Sequence, residues 1–315
     1  MDETIGKAQP QKAILYVTAK NTNARLQLTD TLSFENLPQP DEIFPTIMVD
    51  PDKQFQTIEG FGGTFTDASA ETFYKLPKAK QDEILNAYFS VEEGIGYSLC
   101  RTTINSADWS SESYAYDEVP GDTALLHFSI DHDRQFRIPL IKAAMEKANR
   151  QIKIFGSPYS PPAWIKTNNN MLEGGKVKPE YFGVYAKYFV RFIEEYKSEG
   201  INIWGLTVQN EPMSVQRFES CIFTGKEECD FIKNHLGPTL HKNNLSKVNL
   251  MIWDHNRGIM YQRAKSVYDD PEAAKYVWGM GYHWYVGDHF DNVRLVHDSY
   301  TYKKLLFTEG TVASF

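Results

Sequence analysis

Glu211 and Glu309 each stand at the end of an apolar run, the first in "LTVQNEPM" (206–213) and the second in "KLLFTEG" (304–310). Two carboxyl groups about 5–5.5 Å apart can divide the cleavage of a glycosidic bond between them. One protonates the leaving oxygen and the other attacks the anomeric carbon. Asn210, beside the first carboxylate, suits a hydrogen bond to a sugar 2-hydroxyl that strengthens in the transition state. Pro212 has no N–H and is expected to fix the turn that aims Glu211. Gly310 is expected to let the chain turn tightly after Glu309. Either glutamate alone equally suits a helix cap or an arginine partner; the chemistry rests on the pair.

Other residues near strand ends fit the same chemistry. In "RTTINSADWS", Arg101 can orient a carboxylate and Asp108 can accept two hydrogen bonds from sugar hydroxyls. In "FGSPYSPPAWIKTN", Tyr159 and Trp164 lie on a proline-stiffened loop that suits a sugar-stacking wall, or a packed aromatic loop. In "YHWY", the Tyr285 hydroxyl can hold a nucleophilic carboxylate ionised, with His283 beside it; both also suit the core. A metal-dependent hydrolase would need ligands such as Asp254, His255, His283 and His289. These lack the H-x-H or H-E-x-x-H spacing of paired ligands, which argues against that reading.

Short apolar runs alternating with amphipathic segments must position these groups, a pattern of βα units and a parallel sheet. The expected strands are 57–63, 96–103, 152–158, 201–210, 248–254, 277–285 and 304–310. In an α/β barrel the active site lies at the carboxyl ends of the strands, which puts the fourth and seventh on one rim. The clearest helix places Phe182, Tyr185, Phe189, Phe192 and Tyr196 on one face, with Gly200 as its stop. Pro77 is expected near the first position of a second helix, and "RIPLIKAAMEKAN" repeats the apolar stripe. The stretch "QKAILYVTAKNTNARLQLTDTLSFE" (11–35) alternates around "NTN" and predicts a hairpin, followed by a proline-rich linker.

Composition narrows the classes. Of 315 residues 42% are hydrophobic, enough for a sizeable core, and aromatics reach 14%, which suits a surface gripping sugar rings. A net charge of −8 without a basic stripe gives nucleic-acid binding no support. The start "MDETIGKAQPQK" lacks the features of a signal peptide, as expected of an intracellular protein or of a mature form given a start Met. No apolar stretch approaches a membrane span. Cys100, Cys221 and Cys229 exclude a disulfide framework, leaving at most a Cys221–Cys229 bridge.

With these residues placed, the chain resembles glycoside hydrolase family 30, in its glucosylceramidase branch. The matching stretches are "EGFGGTFTDASA", "YFSVEEGIGYSLCRTTINSADWS", "IPLIKAA", "SPYSPPAWIKTN", "VQNEP", "DPEAAKYVWGMGYHWY" and "LLFTEG", in family order from about residue 58. The resemblance implies a retaining β-glycosidase on a (β/α)8 barrel that uses no metal and no cofactor, with Glu211 as acid/base and Glu309 as nucleophile. It implies that Asn210 contacts the 2-hydroxyl, that Asp108 holds outer hydroxyls, and that Arg101, His283 and Tyr285 order the nucleophile's surroundings. Where glucosylceramidases carry a tryptophan, this sequence has Tyr159, which makes a smaller stacking surface. The family also continues past the nucleophile with an eighth strand and a β-sandwich. Residues 1–46 are therefore expected to supply strands of an incomplete sandwich, and 47–315 a barrel without its eighth strand, a form that exposes sheet edges. The implied substrates are β-glucosides, including glucosylceramide met at a lipid surface, with β-1,6-glucan and xylan as alternatives. Family members are often secreted or lysosomal. The contrasting reading is a non-catalytic, carbohydrate-binding remnant.

Overall fold

The computed structural model describes residues 12–50 and 52–311. They divide into two compact units between Thr57 and Ile58. The first holds the expected hairpin, β1 (Lys12–Val17) paired antiparallel with β2 (Gln27–Ser33), with a register shift between Leu15 and Tyr16. Its connection is stitched by Arg25, whose Nη1 donates to the carbonyls of Ala19, Thr22 and Ala24.

The second unit is a (β/α) barrel architecture. Seven parallel strands follow one another in chain order: β3 (Thr64–Phe65), β4 (Leu99–Ile104), β5 (Lys153–Pro158), β6 (Ile203–Thr207), β7 (Asn249–Asn256), β8 (Gly279–His283) and β9 (Lys304–Glu309). Each pairs with its neighbours in the chain, and among the described residues no ladder joins β3 to β9. The sheet is strongly curled. β4 and β9 are five strands apart, about 24 Å if the sheet were flat, yet Arg101 of β4 and Glu309 of β9 make an ion pair of 2.5 Å.

Strands β4 to β8 are buried on both faces, the usual condition of a parallel sheet, whereas β9 at the edge keeps Lys304 and Phe307 exposed. Inside the curl, Leu99, Phe155 and Met251 form a layer with Trp204, Trp278 and Leu306 packed on it. Outside, the helices cover the strands. Helix Phe182–Ser198 buries Tyr185, Phe189, Phe192 and Tyr196, as its 3.6-residue spacing predicts. It stops at Gly200, whose φ of 81° lets its N–H reach the Lys197 carbonyl while the Ile201 N–H reaches that of Tyr196. Helix Arg137–Ala148 buries its repeated stripe likewise. Pro77 sits one place earlier than expected, capping helix Lys78–Phe89.

Strand limits depart from the sequence pattern in two informative places. The run expected at 57–63 enters the ladder only at Thr64–Phe65. Its glycines let the backbone press against β4: a Cβ on Gly62 would collide with the Leu99 carbonyl. Only irregular bonds form there, such as Leu99 N–H to Phe61 O at 3.2 Å. The run expected at 201–210 leaves its ladder after Thr207. Beyond it, Val208 N–H bonds to Met251 O on one neighbour and Asn210 N–H to Pro158 O on the other, at 3.1 and 2.8 Å. That alternation points successive side chains differently from a regular strand. All three cysteines are buried and free, so Cys221 and Cys229 are not bridged.

Candidate active site

The carboxyl ends of β4, β5, β7 and β9 and the segment after β6 converge on one buried cation. Arg101 rises from β4 with its side chain 2% exposed and engages all five guanidinium N–H groups. Nε donates to Ser157 Oγ (3.1 Å), Nη1 to Glu309 Oε2 (2.5 Å) and Thr308 O (3.3 Å), and Nη2 to Asn210 Oδ1 and Asp254 Oδ2 (2.9 Å each). One side chain thus ties β4 to β5, β7, β9 and the segment after β6. Burial alone would favour neutral Arg101, but Asp254, Tyr159 and Glu309 outweigh it and raise its pKa.

Glu309 sits at the end of β9 with three donors around its carboxylate. Arg101 and the Tyr159 hydroxyl (2.7 Å) meet Oε2, and the Tyr285 hydroxyl meets Oε1 at 3.0 Å. Tyr285 meets Glu309 from the open side. Of the two readings of Tyr159, the packed one describes its place: it is buried, with its hydroxyl on Glu309 and its ring 5.5 Å from the Arg101 guanidinium. Burial and then Glu309 push the Tyr285 hydroxyl up to about 12, so it stays a donor. At Gly310 a Cβ would meet the tip of the half-exposed Phe307 ring, which would have to move aside.

Glu211 follows β6 in a left-handed conformation, φ 43°. A residue before proline is ordinarily extended, so Pro212 does not set this turn. It is held by the Glu211 N–H bonding to Asp254 O (3.0 Å) and by Ser214 N–H bonding back to Glu211 O (2.9 Å). Its Oε1 lies 3.3 Å from His283 Nδ1 and 3.4 Å from His255 Nδ1, and Gln216 Nε2 reaches Oε2 at 3.5 Å. His283 was expected beside the nucleophile; its direct partners are Glu211 and, through Nε2 at 2.9 Å, Asp254 Oδ1.

Asp254 links the two halves of the site. Fully buried, it also accepts from Thr207 Oγ1 (2.7 Å) and Thr308 Oγ1 (2.6 Å). It reaches the centre because β7 breaks register between Trp253 and His255, with φ of 73° at Trp253 and 50° at Asp254. Consecutive left-handed residues without glycine are costly and persist where the surroundings over-determine them. Here Trp253 N–H donates to buried Glu228, and Arg263 bonds that same carboxylate and lies over the Trp253 ring. Sequence reasoning had placed Asp254 only in a metal-ligand set; the bulge that turns it inward leaves no periodic mark.

The charge states follow. Burial resists the charge on Asp254, but Arg101 and His283 hold it well below the usual carboxylate range. Burial likewise resists charge on Glu211, and the His255 and His283 imidazoles more than offset it. Burial lowers the His283 pKa, yet Asp254 and Glu211 raise it to about 9. A raised histidine stabilises the fold fully below its unfolded value near 6.5 and ceases to as pH rises through 9. Urea unfolding of the protein is therefore expected to show stability falling between about pH 7 and 9.5. His283→Gln is expected to flatten that limb, whereas an unchanged slope would show that His283 is not held charged.

Asp108 follows β4 on the open side of the rim; partial desolvation of its carboxyl, and then the nearby charges of Glu309 and Glu219, push it up to about 7. Trp164 has a different neighbourhood from the carboxylates, its indole N–H donating to Asp117 O and its ring edge-on to Tyr181. His289 takes no part in the cluster of Glu211, His255 and His283.

The barrel rim thus holds two carboxylates, one ringed by hydroxyl and guanidinium donors and the other paired with imidazole. Residues 58–314 match the model of the glycosyl hydrolase family 30 TIM-barrel domain, and the chain belongs to that family. It is 36% identical over 249 residues to the lysosomal acid glucosylceramidase of Mus musculus, covering 76% of this chain and 48% of that one. Among solved structures it resembles SrfJ from Salmonella typhimurium (TM-score 0.81, 35% identity, 84% of this chain and 59% of that). It also resembles the endo-β1,6-glucanase BT3312 (TM-score 0.85, 28% identity, 96% and 66%). The chain spans about half the length of the curated relatives it matches. Among the described residues no helix is long and apolar enough to cross a membrane.

Proposed function

We propose that this chain carries the catalytic centre of a retaining β-glycoside hydrolase acting on β-glucosides, glucosylceramide among them. The observation that carries the reading is the contrast between the two carboxylates. Glu309 is stripped of freedom by Arg101, Tyr159 and Tyr285, as suits a nucleophile that must stay ionised and aimed. Glu211 shares its surroundings with an imidazole that stores a proton 3.3 Å from Oε1, as suits a group that must give a proton and take it back. In the first step Glu309 attacks the anomeric carbon while Glu211, an anion at rest, draws a proton from His283 Nδ1 and passes it to the departing oxygen, His283 being reprotonated when Glu211 later deprotonates water. In the second, Glu211 takes a proton from water, which displaces Glu309 from the sugar. Asn210, held by Arg101, would meet the 2-hydroxyl, and Asp108 would bind outer hydroxyls.

The similarity to the mouse glucosylceramidase favours a glucosyl group on a lipid aglycone, and with it work at a lipid surface. Similarity to the β1,6-glucanase supports a glucan as the second reading. The direct test is a β-glucosyl cyclitol epoxide followed by intact mass and peptide mapping. A single adduct on Glu309 is expected, and none at all would favour the carbohydrate-binding remnant. Glu211→Gln is expected to slow glucosides with poor leaving groups by roughly 10²–10⁴-fold while barely affecting activated aryl glucosides. Equal slowing of both would remove Glu211 from the acid role.

A further inference from the structure

Glu211 and the two imidazoles beside it are also placed for a role other than proton transfer, as a set of metal ligands. Glu211 Oε1, His255 Nδ1 and His283 Nδ1 come from three separate strand ends, and all lie within 4.8 Å of one another. The two nitrogens stand 3.4 and 3.3 Å from the oxygen. Ligands about 2.0–2.1 Å from a tetrahedral metal are spaced about 3.3–3.4 Å apart, so two edges of such a site are already at length. Sequence spacing hid the set because its members lie on different strands, not two or four residues apart.

The far side of each ring is built for the same task. His283 Nε2 meets Asp254 Oδ1 at 2.9 Å, and His255 Nε2 meets Ser214 Oγ at 3.2 Å. A metal-binding imidazole ordinarily has its other nitrogen tied to a carboxylate, hydroxyl or carbonyl, which fixes the ring and directs the free lone pair. Asp254 is itself held by Arg101 and two threonines, so the support extends one layer further. The Asn256 amide, 3.2 Å from His255 Nδ1, is the contact an ion would displace. Glu211 and His255 each keep 13% of the side chain exposed, giving solvent a route to the set, while His283 backs it from the interior.

We propose that Glu211, His255 and His283 form a site for a borderline divalent cation such as Zn²⁺, and that the bound ion silences Glu211 by occupying its carboxylate. Two imidazoles and one carboxylate suit Zn²⁺ or Co²⁺ and disfavour Mg²⁺ and Ca²⁺, which prefer all-oxygen ligands. The ion replaces the proton on His283 Nδ1, which leaves to solvent, and takes the lone pairs of His255 and Glu211. Binding and hydrolysis are then mutually exclusive, a brake set by metal level.

The test is Co²⁺ titration of the metal-free protein, read by visible d–d absorption. It reports the site whether or not the chain turns over a glucoside, so its failure is separable from failure of the hydrolase reading. One equivalent is expected to bind with the intense bands of a four- or five-coordinate nitrogen–oxygen site, and Zn²⁺ is expected to displace it. His255→Asn is expected to weaken binding by more than about 100-fold, and Ser214→Ala, which frees only the far side of the ring, by about 10-fold. Circular dichroism of the metal-free variants checks that each is folded, and Ser214→Ala carries the test if His255→Asn is not. In turnover assays excess Zn²⁺ is expected to stop the parent, with recovery on chelation, and to inhibit His255→Asn far less relative to its own rate. Absence of Co²⁺ binding, or binding that neither substitution weakens, would overturn the proposal.

Discussion

Glu309→Gln is expected to lower turnover of every β-glucoside by at least about four orders of magnitude, the scale on which loss of a covalent nucleophile acts. The amide matches the carboxylate in shape but cannot displace a leaving group at the anomeric carbon. Its effect differs in kind from that at Glu211, because no leaving group, however activated, removes the need for a nucleophile. The surroundings sharpen the expectation. Oε2 receives the Arg101 and Tyr159 donors, so an amide N–H₂ is excluded there and must turn to the Oε1 side, where the Tyr285 hydroxyl can accept from it. Ground-state sugar binding, read by titration with a non-hydrolysed β-glucoside analogue, is expected to survive. Turnover within a factor of a few of the parent would remove Glu309 from the nucleophile role.

The second large effect is on stability. Arg101→Leu is expected to destabilise the unit that begins at Ile58 by about 3–5 kcal/mol, the cost of removing one partner from a buried ion pair. The side chain of Asp254 is 0% exposed and would keep its charge with only His283 to balance it. Five accepting atoms lose their donor together, and the leucine cannot reach them. Arg101→Lys is expected to recover only part of the loss, since one ammonium group cannot serve four strand ends from a single point. Urea unfolding followed by circular dichroism measures both; a leucine variant as stable as the parent would mean that the guanidinium costs as much to bury as its partners return. Turnover is expected to fall in both variants, because Arg101 holds Glu309 and Asn210 at once.

Much of this protein is legible in its residues taken in order. The apolar spacing of Phe182 to Tyr196 dictates a helix that buries those rings, and Gly200, free to adopt a φ of 81°, stops it. The βα alternation dictates a parallel sheet, and the strand-end rule puts Glu211 and Glu309 on one rim. The short motifs around them are specific enough to name the family. These properties are local: each depends on residues within about one element of one another, where periodicity and backbone preference operate.

What the tertiary structure alone decided is the partner of each side chain. Arg101 and Glu309 are 208 positions apart, and only the curl of the sheet makes them touch. Asp254 reaches the centre because β7 breaks register under two left-handed residues, an arrangement that Trp253 and Asp254 would not adopt by preference. His283 hydrogen-bonds Glu211, and Tyr159, which spacing leaves open between a stacking wall and a packed loop, is buried with its hydroxyl on Glu309. His255, without a role from spacing alone, stands beside both Glu211 and His283. The physical reason is the same in each case. Sequence spacing sets which face of its own element a residue occupies, whereas bulges, close glycine contacts and sheet curvature set which faces meet, and those depend on the whole packed chain at once.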